Sequence, residues 1–148
     1  MRAGDLAVSY PTVGLAVPAV EGARLLAGAN LPGLIVVDED DRPLTVLPGT
    51  QVLRMAVPGY IQDDPALARV VDEAAADVFL EGIEGRSVAE LLPVERRELP
   101  VVEPDATVLE VAALMARTRS PLVAVSTAGG AISGAITLDA LLDRMLES

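Results

Sequence analysis

Several residue types that carry common enzyme chemistry are absent from this chain. Its 148 residues include no Cys, His, Lys or Trp, and all eleven basic side chains are Arg. Without His and Cys there is no Ser-His-Asp triad, no thiolate nucleophile and no Cys/His zinc site. Without Lys there is no Schiff base and no Walker-type phosphate loop. We therefore expect no catalytic residues, no metal site and no required cofactor.

Charge and hydrophobic patterning argue against two further classes of protein. The 22 acidic residues give a net charge of −11, which repels a nucleic-acid backbone. Hydrophobic residues make up 51% of the chain, but no apolar run approaches the roughly 18–20 residues of a membrane-spanning helix. No signal peptide is evident, because Asp5 interrupts the start of the chain. We expect a cytoplasmic protein that neither enters membranes nor binds nucleic acid.

The most informative pattern is an internal repeat with a constant offset of 89 residues. Residues 13–53 align without a gap on residues 102–142, and Pro32 falls on Pro121. Both copies also show the same order of predicted elements. The sequence therefore predicts an α+β fold of two tandem β-α-β-β-α repeats related by pseudo-two-fold symmetry, with an extra connecting helix.

Capping and turn signals set the element boundaries. Thr107 and Glu110 form a capping box at the start of a helix, which ends before Pro121. Thr137 caps the last helix of the second copy, and Thr50 caps the corresponding helix of the first. In the first copy, the opening strand is followed by a predicted helix at about 20–29, strands at 34–37 and 44–47, and a helix from 51. In the second copy, the helix lies at 107–119, the strands at 122–125 and 132–136, and the last helix at 138–146.

A segment without a counterpart lies between the copies. Asp64 and Pro65 have the chemistry of a helix start, and Gly82 or Gly85 ends the pattern. The apolar face of this predicted helix consists of Leu67, Val70, Val71, Ala74 and Val78, and its acidic face of Asp72, Glu73 and Asp77. The apolar face either covers the protein's own core or binds a partner. We predict a first repeat over 1–57, a connecting segment over 58–86 and a second repeat over 87–148. Each copy is expected to begin with a short helical turn, at Asp5-Leu6 and at Ser87-x-x-Glu90.

Two short motifs occur in both copies. The second copy has Ser-Pro-Leu-Val-Ala-Val at 120–125 and Gly-Ala-Ile-Thr at 134–137, and the first has corresponding stretches at 31–38 and 45–48. These motifs resemble the CBS-domain pair, the regulatory module named for cystathionine β-synthase. The resemblance implies a non-enzymatic protein that binds an adenosine-containing ligand such as AMP, ATP or S-adenosylmethionine. It also implies a homodimer through the repeat helices and a transporter or enzyme partner regulated in trans.

The ligand signature of that family is incomplete in both copies. It consists of a hydroxyl residue followed, three positions later, by an Asp that holds the ribose hydroxyls. In the second copy Thr137 supplies the hydroxyl or only a helix cap, while Ala140 stands at the Asp position and Asp139 lies one residue early. In the first copy Gln51 stands at the Asp position, with Thr50 one residue early. Two hypotheses therefore stay open: a ligand sensor, and a ligand-independent interaction module with degenerate nucleotide sites.

The resemblance also implies ligand contacts from the opening strands and from the residues before the second strands. The candidate site residues are Tyr10, Thr12, Pro32, Thr50 and Gln51 in the first copy and Val101, Arg119, Ser120, Pro121, Thr137 and Asp139 in the second. Arg119 suits a bidentate phosphate contact or a helix C-terminus. Tyr10 either stacks on a base or packs as an ordinary half-buried side chain. The acidic run 38–41 lacks the pattern of an EF-hand loop, so we expect a solvated turn.

Overall fold

The computed structural model describes residues 1–69 and 74–147. Its helices are α1 Ala3–Leu6, α2 Ala19–Gly28, α3 Gly49–Ala56, α4 Gly59–Asp63, α5 Ala75–Ile83, α6 Val88–Leu91, α7 Val108–Thr118 and α8 Leu138–Leu146, with a 3₁₀ turn at Pro65–Arg69. Its strands are β1 Thr12–Gly14, β2 Gly33–Val37, β3 Pro43–Pro48, β4 Val101–Val102, β5 Leu122–Ser126 and β6 Ile132–Thr137. They form two three-stranded sheets, ordered β1-β2-β3 and β4-β5-β6. This element order confirms the predicted α+β fold with two β-α-β-β-α repeats. None of the helices in the described part of the chain is long and apolar enough to cross a membrane.

The contacts divide the chain into two compact units. Unit 1 contains Met1–Thr12, Ile35–Val46 and Arg96–Ser148, and unit 2 contains Val13–Leu34 and Leu47–Glu95. The domain boundaries expected from the sequence remain a prediction.

The core of unit 1 is built on both faces of the fully buried strand β5. Successive side chains of a strand point to opposite faces. Val123 and Val125 accordingly pack in one apolar cluster, which includes Val111 of α7 and Leu141 of α8. Leu122 and Ala124 pack in a second cluster. A strand buried on both sides reads as a continuous apolar run, which is why the sequence located it correctly.

The short helices α1 and α6 pack against repeats that are distant in sequence. In unit 1, the Ala3 N–H donates to the Ala106 carbonyl at 2.8 Å, so α1 packs at the start of α7. In unit 2, the Val88 N–H donates to the Val17 carbonyl at 2.8 Å, so α6 packs at the start of α2. Both predicted helical turns therefore exist. Helix α1, at the start of the first repeat, packs against the second repeat, and α6, at the start of the second repeat, packs against the first.

The predicted cap at Thr50 is wrong. Helix α3 begins at Gly49, with Pro48 at the N-cap position and no side-chain cap, and Thr50 lies within the first turn. Pro48 has an extended backbone (φ −69°, ψ 148°), which suits an N-cap, but it has no hydroxyl to accept a hydrogen bond. The cap at Thr137 is confirmed, since Thr137 Oγ1 accepts from the Ala140 N–H at 3.2 Å.

The prediction of a single connecting helix is also wrong. The segment contains α4, the 3₁₀ turn and α5 as separate elements. Asp64 Oδ1 accepts from the Ala66 N–H at 3.3 Å, as expected of a helix start. Ala74 has an extended backbone (φ −64°, ψ 138°), however, so α5 is a new helix that begins at Ala75. Val70, Val71, Asp72 and Glu73, which the prediction placed in this helix, lie outside the described residues.

Candidate functional site

The ends of the strands in unit 1 bring part of the predicted site together. Strand β5 starts at the end of the sheet where the antiparallel strand β6 ends, and the parallel strand β4 starts two residues further along, with Val101 opposite Ala124. Thr137 lies opposite Leu122, and Val101 lies on the neighbouring strand β4. The Leu138 N–H donates to the Pro121 carbonyl at 3.0 Å, which joins the loop before β5 to the start of α8. We call Pro121 and Thr137, together with Val101 on the outer strand β4, the rim.

Thr137 is the polar side chain of the rim. It is half-buried, and its Oγ1 accepts from the Ala140 N–H. A hydroxyl that accepts one hydrogen bond still has its own hydrogen to donate. Thr137 can therefore cap α8 and also donate to an anionic oxygen at the rim.

The start of α8 supplies no carboxylate at the position where the family motif has its Asp. The half-buried residue at this position is Ala140. Asp139 is exposed in the first turn of the helix. One residue of helix rotates a side chain by about 100°, so Asp139 does not replace the missing group. The rim thus offers a hydroxyl donor without a ribose-binding acid from this helix.

The two residues before Pro121 have other roles in the structure. The buried Ser120 hydroxyl donates to the Leu122 carbonyl at 2.7 Å and accepts from the Leu122 N–H at 3.3 Å. It therefore shapes the chain into β5, and a ligand contact from Ser120 stays a prediction. Arg119 ends α7 in the left-handed conformation (φ 55°), and its exposed side chain lines a groove between α7 and α8.

Tyr10 packs against the core of unit 1. The half-buried ring contacts the apolar cluster that contains Leu122 and Ala135. The antiparallel bridge between Val8 and Ala135 directs the following residues towards the start of β6, away from Thr137. Of the two roles considered for Tyr10, packing as a half-buried side chain is the one that these contacts support. Thr12, the remaining candidate of this stretch, is half-buried at the start of β1.

Unit 2 repeats the geometry of the rim with different chemistry. The Gly49 N–H donates to the Pro32 carbonyl at 3.4 Å, the same link that joins Leu138 to Pro121 in unit 1. The hydroxyl position is a proline here, and Thr50 is exposed. The Gln51 Nε2 donates to the Leu91 carbonyl at 3.0 Å, so this amide holds α6. Unit 2 is therefore less well equipped than unit 1 to hold a sugar or a phosphate.

The acidic run 38–41 is the turn that the sequence predicted. Asp38 Oδ1 accepts from the Asp40 and Arg42 N–H groups at 2.8 and 2.9 Å, and Asp41 has a positive φ of 59°. The carboxylate of Asp38 thus stabilises the turn between β2 and β3. Within the described residues no acidic group is arranged to hold a metal ion.

Sequence reasoning missed two features around these residues. The first is the bond from Gln51 to Leu91, for which the sequence has no signal because the two residues are far apart in the chain. The second is the apolar groove between α7 and α8. Its signal was present in the spacing of Leu138, Leu142 and Met145, which places three large apolar side chains on one helix face.

Comparison with known proteins identifies the family. The CBS domain family model matches residues 88–147. The structure of a CBS domain-containing protein of unknown function from Kribbella flavida DSM 17836 shares 52% sequence identity and a TM-score of 0.90, with 99% of both chains covered. The chain belongs to the CBS-domain family.

More distant CBS-domain structures share the fold. A CBS domain-containing protein of unknown function from Bacillus anthracis str. Ames Ancestor is 14% identical with a TM-score of 0.73, covering 98% of this chain and 92% of that one. CBSX2, solved in complex with AMP, is 19% identical with a TM-score of 0.68, covering 98% and 96%. No curated protein matches the sequence significantly. For this CBS-domain protein, the tandem repeat and the strand motifs were thus sufficient to identify the family.

Proposed function

We propose that this CBS-domain protein is a non-catalytic regulatory module that binds an adenosine-containing ligand at the rim of unit 1. AMP, ATP and S-adenosylmethionine are the candidate ligands, and the regulated partner is a transporter or enzyme in trans. The cytoplasmic location expected from the sequence is part of this proposal. The observation that carries it is the Thr137 hydroxyl, which has a hydrogen to donate at the start of α8, where the backbone is linked to Pro121. The AMP complex of CBSX2 supports the choice of ligand class.

The chemistry of the rim indicates weak binding. Thr137 donates to a phosphate or other anionic oxygen, and Val101 and Pro121 offer apolar contact. The missing acid at Ala140 removes a charge-assisted hydrogen bond of about 1.5–3 kcal/mol, which corresponds to roughly a 10- to 100-fold loss of affinity. The net charge of −11 further opposes an anionic nucleotide.

We also propose that the protein forms a homodimer through repeat helices. Leu138, Leu142 and Met145 of α8 are each exposed over 40% or more of their surface. Large exposed apolar side chains on one face are typical of a protein–protein interface. A dimer allows ligand occupancy in one chain to alter the surface that a partner protein contacts.

A thermal-shift experiment on the full chain tests ligand binding. AMP, ADP, ATP, NAD and S-adenosylmethionine are each added at millimolar concentration, and we expect at least one adenosine ligand to raise the melting temperature. A ligand at 100 times its Kd adds about 2.7 kcal/mol of stability, and weaker occupancy adds less. If none of the five ligands stabilises the protein, the ligand-binding part of the proposal fails.

A matched pair of variants tests whether the rim is the site. Thr137→Asp retains a good N-cap for α8 but places a negative charge where the anionic oxygen would bind. We expect it to abolish the ligand-induced shift without lowering the melting temperature of the free protein. Thr137→Ser retains both the cap and the donor, so its shift should match the wild type. An unchanged shift in Thr137→Asp would place the ligand elsewhere.

A second candidate function is a ligand-independent interaction module with degenerate nucleotide sites. It is favoured by the Gln51 amide, which bonds to the Leu91 carbonyl, and by the absence of an acid at Ala140. This alternative predicts a partner protein whose affinity, measured by surface plasmon resonance, is the same with and without AMP. A change in that affinity on adding AMP would reject it in favour of the sensor.

A further inference from the structure

A groove lies between α4, α5 and the end of α3 in unit 2. It consists of two hollows with volumes of about 810 and 370 Å³. The hollows adjoin, because both are lined by Ala56, Pro58, Glu81 and Gly82. Helices α3 and α5 cross tightly at this point, since a Cβ on Gly82 would overlap the backbone of Ala56. We call the two hollows together the α4–α5 groove.

The smaller hollow has a largely apolar lining. Tyr60 and Ile61 of α4 and Val78 of α5 form its walls. Two of the three aromatic residues of the chain, Tyr60 and Phe79, lie on these two helices, and Tyr60 is 58% exposed. No residue of α4 is buried. An exposed aromatic side chain beside an apolar hollow is typical of a protein–protein interface.

Helices α4 and α5 carry acidic charges and no basic ones. Helix α4 ends with Asp63 and Asp64, and α5 has Asp77 in its first turn, Glu81 in its last turn and Glu84 at its C-cap. Helices α3, α7 and α8 have an Arg in the last turn instead. An acid at a helix C-terminus opposes the helix dipole, and Asp77 repels Glu81 at the i,i+4 spacing. Charges that act against the stability of their own helices are expected where a partner neutralises them.

The acidic side chains of the groove are free to pair with a partner. Asp63, Glu81 and Glu84 line the larger hollow together with Arg54 and Arg86. None of these five side chains forms an ion pair within the described residues. Acidic groups outnumber basic ones in this lining, so the groove favours a cationic occupant.

Charge also decides between the possible occupants. The chain carries a net charge of −11, so a second copy of it is repelled by an acidic groove, and so is an anionic membrane surface. A basic amphipathic helix matches both parts of the groove. Its apolar side chains fit the smaller hollow, and its Lys or Arg side chains reach Asp63 and Glu81 at the larger one.

We propose that the α4–α5 groove binds a basic amphipathic helix of a partner protein. An apolar side chain of that helix packs beside Tyr60 and Ile61, and its cationic side chains pair with Asp63 and Glu81. This inference rests on the proposed regulation of a partner in trans. It names the surface of unit 2 that the partner contacts and the chemistry of the partner's segment.

A model peptide tests the groove directly. The probe is a fluorescein-labelled peptide of about 14 residues, built from Leu and Lys so that its helix has one apolar and one basic face. Fluorescence anisotropy with the full chain at about 0.15 M salt should show saturable binding. The same peptide with Glu in place of Lys should not bind. A Leu–Lys peptide that shows no saturable binding would overturn the proposal.

Charge reversal tests whether the peptide binds at the groove. Asp63→Arg combined with Glu81→Arg should weaken binding about tenfold or more, because repulsion replaces two ion pairs. Its melting temperature should not fall, since a base is favourable near a helix C-terminus. Glu103→Arg combined with Asp105→Arg is the matched control, because these exposed residues of unit 1 give the same change in net charge. Equal weakening by both double variants would mean general attraction to an acidic protein and would overturn the groove.

Truncation of the aromatic side chain tests the apolar hollow. Tyr60→Ser should weaken peptide binding about tenfold, as expected for an aromatic contact at an interface. Leu80→Ser is the control, since Leu80 is 42% exposed on α5 and lines neither hollow. Circular dichroism confirms that each variant is folded. Wild-type affinity in Tyr60→Ser would overturn the docking of an apolar side chain at this position.

The outcomes separate this inference from the proposed function. A protein that AMP stabilises but that does not bind the Leu–Lys peptide overturns the groove and leaves the ligand site standing. A protein that binds the peptide at the groove but gains no stability from any adenosine ligand supports the groove, while the ligand-binding part of the proposed function fails.

Discussion

The side-chain amide of Gln51 donates to the main-chain carbonyl of Leu91 at 3.0 Å. Gln51 stands at the motif position where CBS domains commonly have the ribose-binding Asp. Its bond to Leu91 fixes α6 against α3 within unit 2. A carboxylate would place an acceptor opposite the Leu91 carbonyl, so the amide is the chemically suited group here. In this repeat, a position associated with ligand binding has acquired a structural role.

Removing the amide should therefore lower stability. We expect Gln51→Ala to reduce the free energy of unfolding by about 1 kcal/mol, the usual net value of one hydrogen bond. Gln51→Glu should cost at least as much, because two acceptors then face each other. Thr50→Ala is the control, since Thr50 is exposed in the same helical turn and caps nothing. Urea unfolding checks all three variants, and a Gln51→Ala value as small as the control would contradict the role given to Gln51.

The close crossing of α5 and α3 makes a second prediction. Gly82→Ala should destabilise the protein by about 1–3 kcal/mol, because the added methyl overlaps the Ala56 backbone and forces the helices apart. Gly28 is the matched control, since it lies at the end of α2 with open space around its Cα. Gly28→Ala should be neutral or stabilising by up to about 1 kcal/mol through helix propensity. Calorimetric melting temperatures that rise for both variants would show that the crossing is not tight.

The left-handed residue after α2 makes a third prediction. Asn30 has a φ of 52°, a conformation that Asn and Gly tolerate well and β-branched residues do not. We expect Asn30→Val to cost about 1–2 kcal/mol of unfolding free energy, while Asn30→Gly stays within about 0.5 kcal/mol. Chemical denaturation measures both. Equal values for the two substitutions would mean that the backbone at Asn30 is not held in this conformation.

Much of the fold could be predicted from local sequence signals. The run 122–125 is apolar at every position because β5 is buried on both faces, and Thr137 caps α8 by direct contact with Ala140. The error at Thr50 has a physical cause. Pro48 takes the extended backbone of an N-cap although it has no hydroxyl. Helix α3 therefore begins at Gly49, before Thr50, the first residue whose side chain is of a capping type.

The features that sequence reasoning missed depend on contacts between distant residues. Helix α1 packs at Ala106 and α6 packs at Val17, and the local sequence pattern of neither helix indicates these contacts. The break at Ala74 was also hidden, because its neighbours have good helix propensity. At the candidate site, the motif located Thr137 correctly. It did not show that the Ser120 hydroxyl is used by Leu122 or that Arg119 lines the helix groove.

Restoring the missing acid should strengthen ligand binding. Ala140→Asp introduces a carboxylate at the ribose position of the family motif, in the first turn of α8 where an acid is also favourable. We expect the Kd for AMP to fall roughly 10- to 100-fold, from one charge-assisted hydrogen bond of about 1.5–3 kcal/mol. Asp139→Ala is the control and should leave the Kd unchanged. Equal affinity of Ala140→Asp and wild type for AMP would show that the ribose of the bound ligand does not lie beside residue 140.

Isothermal titration calorimetry of the full chain with AMP tests the central claim most directly. The wild type and Thr137→Asp are titrated side by side at low ionic strength, with Ala140→Asp as the variant of expected higher affinity. We predict a saturable site in the wild type that is lost in Thr137→Asp and tighter in Ala140→Asp. An absence of saturable binding in both wild type and Ala140→Asp, or the same affinity in Thr137→Asp as in wild type, would contradict ligand binding at the rim.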